Sequence, residues 1–148
     1  MRVRGMTKPD FDYVVQVLDR WWGGPARQRA QAVFFYELGE HALIAEDDSG
    51  EIIGFLFGFH TPDKSTGYVH LVGIHPDHRR KRVGQALYEQ FTEGARKAGC
   101  KALKATTAVG NEGSVRFHVA QGWTMNEIED YAGPGRLRIV FTKALTHD

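Results

Sequence analysis

A basic turn at residues 79–82 is the first feature of this sequence that could bind a ligand. It follows an apolar, β-branched run at residues 68–74 that is typical of a strand, and Pro76 ends that run because proline has no N–H to donate to a ladder. Gly84 then opens an amphipathic pattern that predicts a helix. Because the first N–H groups of a helix have no intrahelical partners and carry partial positive charge, the pattern predicts a site for a phosphorylated ligand.

Two well-known phosphate-binding motifs do not occur in the chain. It has no Gly-Lys-Ser or Gly-Lys-Thr of a Walker A loop, and the three spaced glycines of a dinucleotide fingerprint are absent. A short basic run is also typical of a solvated charged loop, and less often of a nucleic-acid or localisation patch. The basic run by itself leaves these alternatives open.

Histidines at positions 60, 70, 75 and 78 raise the question of a metal site. Their spacing matches no common zinc pattern, and Cys100 is the only cysteine, so no cysteine pair supports one. We therefore expect no bound metal. Cys100 follows a predicted helix end with no base beside it in the sequence, which argues against a nucleophilic role.

The overall composition is that of an ordinary soluble globular protein. The 148 residues are 42% hydrophobic and 25% charged, and 19 basic against 18 acidic side chains give a net charge of +1. This near-neutral charge argues against nucleic acid or a membrane as partner, so any anion site must be local. No run approaches the length of a membrane span, no signal peptide is evident, and a lone cysteine favours a cytoplasmic location. We expect a single domain over residues 1–148.

The elements that must position these residues alternate between strands and helices. Periodicity and turn residues predict strands at residues 2–6, 41–46, 51–60, 68–74, 101–107, 123–131 and 136–144. Helices are predicted at residues 7–22, from Pro25 onward, at 83–98 and at 114–121. The order β-α-α-β-β-β-α-β-α-β-β predicts an α/β fold: a mixed, mostly antiparallel sheet with one parallel crossover pair and helices on both faces.

Local patterns add detail to three of these elements. Thr7 and Asp10 form a variant of the capping box at the start of the first helix. In the strand at residues 51–60, alternation places Ile53 on the same face as Phe55. In the last helix, Val119 is expected to face the core.

This element order and two motifs resemble the GNAT superfamily of acyl-CoA-dependent N-acyltransferases, over nearly the whole chain. The first motif is a strand ending in Val/Ile-x-Val/Ile-x-Pro and then a loop of the type Arg/Gln-x-x-Gly-x-Gly/Ala, which corresponds here to residues 72–76 and 79–84. The second is Asn, a small residue, an aromatic pair and Gly-aromatic, which corresponds to Asn111, Ser114, Phe117-His118 and Gly122-Trp123.

The resemblance implies acetyl-CoA as acyl donor and a direct transfer to an amine. Strand backbone groups would pair with the pantetheine arm, loop N–H groups would hold the pyrophosphate, and the Ile74 N–H would stabilise the oxyanion. The residues that the resemblance assigns to the cofactor are Val72, Gly73, Ile74, Arg79, Arg80, Lys81, Arg82, Val83, Gly84, Asn111, Ser114 and Phe117. A homodimer is compatible with the family.

Two positions depart from the family pattern. Arg82 stands where the first loop glycine is usual, so phosphate approach could be altered there. His118 stands where a tyrosine often protonates the leaving thiolate. His118 is therefore either the catalytic acid or a neutral residue that shapes the acyl pocket.

Transfer to an amine also needs a base, since an alkylammonium must lose a proton before it attacks. His70, in the crossover strand, is the first candidate; a structural role in the sheet is equally plausible. It would share a face with Val72 and Ile74 if no bulge intervenes. Glu46, at the end of a neighbouring strand, is the alternative base, although a surface carboxylate at a turn is the commoner explanation.

The acceptor is expected between the first two helices and the last hairpin. Trp21, Trp22 and Tyr36 could form walls of its pocket, or could simply pack in the core or a lid. Glu46 and Glu129, together with Asp47, could attract a cationic amine. We therefore predict an acetyl-CoA-dependent N-acetyltransferase. A non-catalytic acyl-CoA-binding or sensing module on the same fold is the alternative, and a nucleic-acid-binding module is a weaker one.

Overall fold

The computed structural model describes residues 1–145 of the chain. Seven strands are present there: β1 (Arg2–Gly5), β2 (Leu43–Glu46), β3 (Ile52–His60), β4 (Thr66–Ile74), β5 (Ala102–Ala108), β6 (Thr124–Ile128) and β7 (Arg138–Ala144). The four α-helices are α1 (Lys8–Trp22), α2 (Val33–Tyr36), α3 (Val83–Lys97) and α4 (Glu112–Ala120). Short 3₁₀ turns lie at Arg27–Arg29, Gly39–His41 and Pro76–His78.

The seven strands form one sheet in the order β1-β2-β3-β4-β5-β7-β6. Within residues 1–145, β4 and β5 are the single parallel pair, and all other neighbours are antiparallel. The predicted element order and fold class are confirmed. The parallel pair lies in the middle of the sheet, where α3 provides the crossover.

Helix α1 covers one face of the sheet, and its boundaries follow from its sequence. Its start is fixed because the Asp10 carboxylate accepts the Thr7 backbone N–H at 2.7 Å, as the capping pattern predicted. It ends at Gly23, whose φ of 71° favours a residue without Cβ. Val14 and Leu18 are fully buried against the aromatic residues that β3 presents to this face.

Helix α3 covers the opposite face, and glycines of β3 let it approach closely. A Cβ at Gly54 would lie 2.8 Å from Cγ1 of Val83, and a Cβ at Gly58 would lie 2.8 Å from the ring of Phe91. Both distances are too short for real side chains, so the packing requires glycine. This close contact fixes the first turn of α3 against the middle of the sheet, where the cleft described below opens. None of the helices in residues 1–145 combines the length and apolar character that crossing a bilayer needs.

The segment after α1 differs from the prediction of a helix starting at Pro25. The Asp19 carboxylate accepts the backbone N–H groups of Ala26 and Arg27 at 2.7 and 2.6 Å, which holds the chain in a tight turn. A 3₁₀ turn and the four-residue helix α2 take the place of the longer helix. The prediction failed because helix propensity is a property of the local sequence and does not include this contact with the preceding helix.

The directions in which Ile53 and Val119 point also differ from the prediction. A bulge in β3 near Ile53, opposite the Ala45–Glu46 step, places Ile53 on the α3 face while Phe55 lies on the α1 face. Val119 is 51% exposed and does not face the core. The helical spacing was correct, but α4 is short and its inner face is occupied by His118 and Phe117 instead.

The last hairpin has shorter strands and a longer loop than predicted. β6 ends at Ile128, and β7 begins only at Arg138. The loop between them is held by the Asp130 carboxylate, which accepts the Gly135 backbone N–H at 2.6 Å. Asp130 itself has a φ of 59°, a left-handed conformation that aspartate tolerates in turns.

Candidate active site

A cleft opens where β4 and β5 separate. Their parallel pairing ends at Val69 and Ala105, whereas β4 stays paired with β3 as far as Ile74. The second half of β4 therefore has a neighbour on only one side. The gap is the centre of a cleft of about 1240 Å³ that extends to both faces of the sheet.

The open side of β4 presents backbone polar groups to this cleft. The N–H of His75 donates to the Ile53 carbonyl of β3 at 2.9 Å. Because successive residues of a strand direct their backbone groups to opposite sides, the N–H groups of Ile74 and Val72 point away from β3, toward the gap. An extended ligand could pair with them as an added strand does.

A bulge in β4 sets the direction of His70. Gly58 pairs with Val69 and Phe57 pairs with Leu71, so His70 is the extra residue. The prediction that His70 shares a face with Val72 and Ile74 is therefore wrong. An extra residue shifts the alternation by one position, so His70 faces α2 while the two aliphatic residues pack against the α3 cluster.

The environment of His70 keeps its imidazole neutral. The ring stacks on Phe34 with centroids 3.7 Å apart, and the residue lines the cleft. Burial lowers the pKa of His70 below its usual value, although the Arg29 backbone carbonyl opposes this in part. Among residues 1–145, no group bonds the buried Nε2 atom of His70. A neutral imidazole of this kind can accept a proton near pH 7.

The basic loop before α3 contains two residues in a left-handed conformation. The φ values are 68° for Arg80 and 62° for Arg82. Such conformations cost about 1–3 kcal/mol in non-glycine residues and are concentrated at functional sites. Arg82 is also the N-cap of α3 and makes no side-chain cap, so the first N–H groups of α3 keep their capacity to bind an anion.

The side chains of this loop are directed in different ways. Arg79 donates to the Trp21 carbonyl at 2.8 Å, which ties the loop to the end of α1. Arg80 lines the cleft, whereas Lys81 and Arg82 are exposed outside it. Within residues 1–145, no carboxylate forms an ion pair with any of the four. Their positive charge is therefore available to a bound anion.

The far side of the cleft is formed by the start of α4. Asn111 caps this helix: its Oδ1 accepts the Ser114 N–H at 3.2 Å, and its Nδ2 donates to the Thr107 hydroxyl at 3.1 Å. Phe117 extends from the same helix toward α3, where a Cβ on Gly84 would lie 3.4 Å from its ring. Gly84 therefore lies beside Phe117, a residue of the cleft lining, with space for no more than a small side chain at van der Waals contact.

His118 is buried in an aromatic cluster and bonded through both ring nitrogens. Nδ1 lies 2.7 Å from the Ser114 carbonyl, which can only accept, so Nδ1 carries the proton. Nε2 then accepts from the Tyr88 hydroxyl at 2.8 Å. The ring stacks on Phe141 with centroids 4.1 Å apart, and burial lowers the pKa of His118. Burial also raises the pKa of Tyr88, so both groups are neutral.

A sequence profile described as the Acetyltransferase (GNAT) family matches residues 11–123 of this chain. The chain belongs to this family. No sequence among curated proteins matches it significantly. The profile includes β4, the basic loop, α3, β5 and α4, which together form the cleft.

Solved acetyltransferase structures share the fold. Ard1 from Thermoplasma volcanium is 16% identical with a TM-score of 0.81, covering 99% of this chain and 98% of its own. The ribosomal-protein-S18-alanine N-acetyltransferase from Escherichia coli is 15% identical with a TM-score of 0.78, covering 99% and 95%. A phosphinothricin acetyltransferase from Sinorhizobium meliloti, solved in complex with AcCoA, is 15% identical with a TM-score of 0.77, covering 97% and 88%.

The predicted acceptor residues of this GNAT protein are dispersed in the structure. Trp22 lines the cleft, but Trp21 is buried in the α1 core with 3% exposure, and Tyr36 is 59% exposed away from the cleft. Glu46 lies on β2, two strands from β4, where Arg4 donates to its carboxylate at 3.0 Å. Of the two candidate bases, the structure brings only His70 to the cleft.

Sequence reasoning missed several residues that line the cleft. Tyr88 is on α3, four residues after Gly84 and one turn further along the helix, and that spacing could have identified it. Arg29, Arg136 and Arg138 also line the cleft, but Arg29 is far from the other two in the chain and none of the three belongs to a local motif. Within residues 1–145, no group of three or more His, Cys, Asp or Glu side chains is arranged to hold a metal ion.

Proposed function

We propose that the protein transfers an acetyl group from acetyl-CoA directly to a primary amine. The observation that carries the proposal is the separation of β4 from β5, which leaves the backbone groups of Val72 and Ile74 directed into a cleft that begins at a basic helix N-terminus. This arrangement suits a ligand with an amide-containing arm and a pyrophosphate. Membership of the GNAT family and acetyl-CoA complexes of proteins with the same fold support it.

The cofactor would lie across the face covered by α3 and α4. The pyrophosphate would bind the N–H groups of the first turn of α3, with Arg80 beside it, and the pantetheine arm would run along the open side of β4. The Ile74 N–H would stabilise the oxyanion of the tetrahedral intermediate. Arg82 would stand at the usual glycine position and adopts a left-handed conformation there, with φ 62°, so the loop N–H groups would still be available to the pyrophosphate.

The acceptor amine would approach from the opposite face, where His70 lies. His70 would take one proton from the ammonium group, directly or through water, so that the nitrogen lone pair can attack the thioester carbonyl. Collapse of the tetrahedral intermediate breaks the C–S bond, and the second nitrogen proton ends on the thiolate. The products are the acetamide, CoA thiol and one proton on the base.

A non-catalytic acyl-CoA-binding module is the second candidate, and His118 favours it. The family often has a tyrosine acid at this position, but here both ring nitrogens are bonded, to Ser114 and Tyr88. As a neutral group with its one proton donated to a carbonyl, His118 is better suited to shaping the acyl pocket than to acting as an acid. If the thiolate needs a protein acid for release, turnover would be slow.

Calorimetric titration with acetyl-CoA is the first experiment, with adenosine and duplex DNA as controls. We expect stoichiometric binding of acetyl-CoA, weak or no binding of adenosine and none of DNA. Release of CoA thiol in the presence of a panel of primary amines then separates the two candidates. Thiol release that depends on the amine supports the transferase, and tight binding without turnover supports the binding module. Absence of acetyl-CoA binding would contradict both.

A further inference from the structure

The face of the cleft opposite the cofactor is rich in arginine and has no acidic side chain. Arg29, which follows α1, and Arg136 and Arg138, at the start of β7, line the cleft from two separate segments. The Nζ of Lys104 lies 5.2 Å from the ring centroid of Tyr131, another residue of the lining. Among the described residues that line the cleft, none is Asp or Glu. The carboxylates that the sequence suggested for attracting a cationic amine are not in this lining.

Arg138 is positioned on this face by a hydroxyl pair. It pairs with Ala108 across β5 and β7, and one of its terminal N–H groups donates to the Thr106 hydroxyl at 3.3 Å. The Tyr68 hydroxyl lies 3.5 Å from the same oxygen, and the Tyr68 ring stacks on Phe59. This chain of contacts places Arg138 on the side of the sheet that carries His70.

The charge on Arg138 is not neutralised within the described part of the chain. No carboxylate of residues 1–145 forms an ion pair with it, and its side chain donates a hydrogen bond to the neutral Thr106 hydroxyl. Arg138 is half-buried and lines the cleft. The adjoining loop carries two acidic residues, Glu129 and Asp130. Neither lines the cleft, and the Asp130 carboxylate accepts the Gly135 N–H.

We propose that the acceptor is an amine that also carries a carboxylate or another oxyanion near the nitrogen, and that Arg138 binds this group. This inference rests on the proposed transferase function. A planar guanidinium with free donors favours bidentate binding of an oxyanion. A polycationic amine would instead meet several like charges in a partly desolvated cleft, which strongly disfavours association. Arg29 and Arg136, which also line the cleft, add positive charge to the same site.

The test compares matched acceptors that differ only in the anionic group. Acetyl transfer is measured as thiol release with L-methionine, L-phenylalanine and L-glutamate, each beside its α-amide, and with spermidine and kanamycin as polycations. We expect the free acids to be preferred over their amides by about tenfold or more in kcat/KM, since a hydrogen bond to a charged group is lost in the amide. A tetrapeptide beginning with two glutamates distinguishes a peptide N-terminus from a free amino acid as the source of this chemistry.

Substitution of Arg138 tests the assignment of the residue. Arg138→Gln should lower kcat/KM for the acids about tenfold to a hundredfold, leave the amides little changed and leave the Kd for acetyl-CoA unchanged. Arg138→Glu should shift the preference toward cationic amines. Arg116→Gln is the matched control, because Arg116 is exposed on α4 outside the cleft and pairs with Glu112.

The outcomes separate this inference from the function on which it rests. Preference for amides or polycations, with turnover intact, would overturn the acidic acceptor and leave the transferase standing. A loss of acetyl-CoA affinity in Arg138→Gln would place the residue in the cofactor site and also overturn the inference. Turnover with none of the amines would overturn both. The comparison of acids with amides uses the unmodified protein, so it holds even if a variant folds poorly.

Discussion

The two faces of the cleft are constructed from different parts of the chain. On the face toward α3 and α4, the groups available to a ligand are mainly backbone: the open side of β4 and the first turn of α3. On the face toward α1 and α2, they are side chains, among them His70, Arg29 and Arg138. The first set comes from one continuous segment, whereas the second comes from three segments that meet only in the folded protein.

This difference separates ligand contacts that depend on backbone conformation from contacts that depend on the identity of single side chains. Backbone contacts depend on conformation rather than on side-chain identity, so we expect Arg82, with its left-handed φ, to preserve the backbone contacts of the proposed cofactor site. A side-chain site changes its ligand with one substitution, because charge and shape reside in single residues. We therefore expect substitutions on the first face to affect cofactor binding and those on the second to affect acceptor use.

Gly84→Glu should have the largest effect. The new side chain would begin 3.4 Å from the Phe117 ring and bring a carboxylate to the proposed pyrophosphate site at the N-terminus of α3. Like-charge contact costs several kcal/mol, so we expect acetyl-CoA affinity to fall by about a hundredfold or more in calorimetry. Gly84→Ala is the control, since a single methyl group fits at ordinary contact distance. Unchanged affinity in the glutamate variant would show that the pyrophosphate lies elsewhere.

His70→Ala should lower the rate of acetyl transfer without changing cofactor binding, because His70 lies on the face toward α1 and α2. Loss of a general base lowers rates about a hundredfold or more, while the Kd for acetyl-CoA should stay the same. His60→Ala is a matched control: burial lowers the pKa of His60 as well, but His60 lies on β3 outside the cleft lining. Because the pKa of His70 is lowered, the acid limb of the kcat/KM profile should lie below pH 6.5 and disappear in the variant. A full rate at neutral pH in His70→Ala would remove it as the base.

The contrast between the faces also explains what the sequence could predict. The strand, basic turn and helix of the first face are adjacent in the chain, so residue types and spacing were sufficient to predict these elements and their order. The anion site at the start of the helix stays a prediction. The separation of β4 and β5 was not predictable in the same way. It depends on the residue at which pairing between the two strands stops, and no turn or breaker residue marks that point within either strand. The bulge at His70 illustrates the point: one extra residue reverses the facing of a strand and leaves no clear mark in the sequence.

The second face could not be assembled from local patterns. Arg138 is positioned by Thr106 and Tyr68, which lie 32 and 70 residues earlier in the chain. In the sequence, an arginine on the last strand has the same appearance whether it binds a ligand or is a solvated surface charge. Conversely, Tyr36 and Glu46 had suitable residue types but lie away from the cleft, because a residue type specifies possible chemistry and not location.

Tyr88→Phe should have a moderate effect, on stability. The variant removes the hydroxyl that donates to Nε2 of His118 and leaves a buried acceptor without a partner, which costs about 1–3 kcal/mol. The free energy of unfolding, measured in urea, should fall by that amount. Tyr131→Phe, at a site 39% exposed, should change it little and serves as the control. Equal stability of both variants would show that the Tyr88–His118 bond contributes nothing to the fold.

The smallest effect is expected in the pH dependence of stability. Burial lowers the pKa of His118 relative to the unfolded chain, so between the unfolded value near 6.5 and the lower folded value, the unfolded state binds more protons. Stability from this group is complete above pH 6.5 and is lost as the pH falls, with a slope of at most about 1.4 kcal/mol per pH unit. The double variant Tyr88→Phe/His118→Phe replaces both bonded partners by apolar groups, which can be nearly neutral at pH 7.

The acid slope of unfolding free energy should therefore be shallower in the double variant than in the parent, with His70 and His60 accounting for what remains. Urea titrations between pH 7 and pH 5 measure this directly. An unchanged slope would mean that His118 is protonated equally in the folded and unfolded states. His118 would then be a candidate acid in the cleft, and side chains of the cofactor face would join the proposed base His70 in the chemistry.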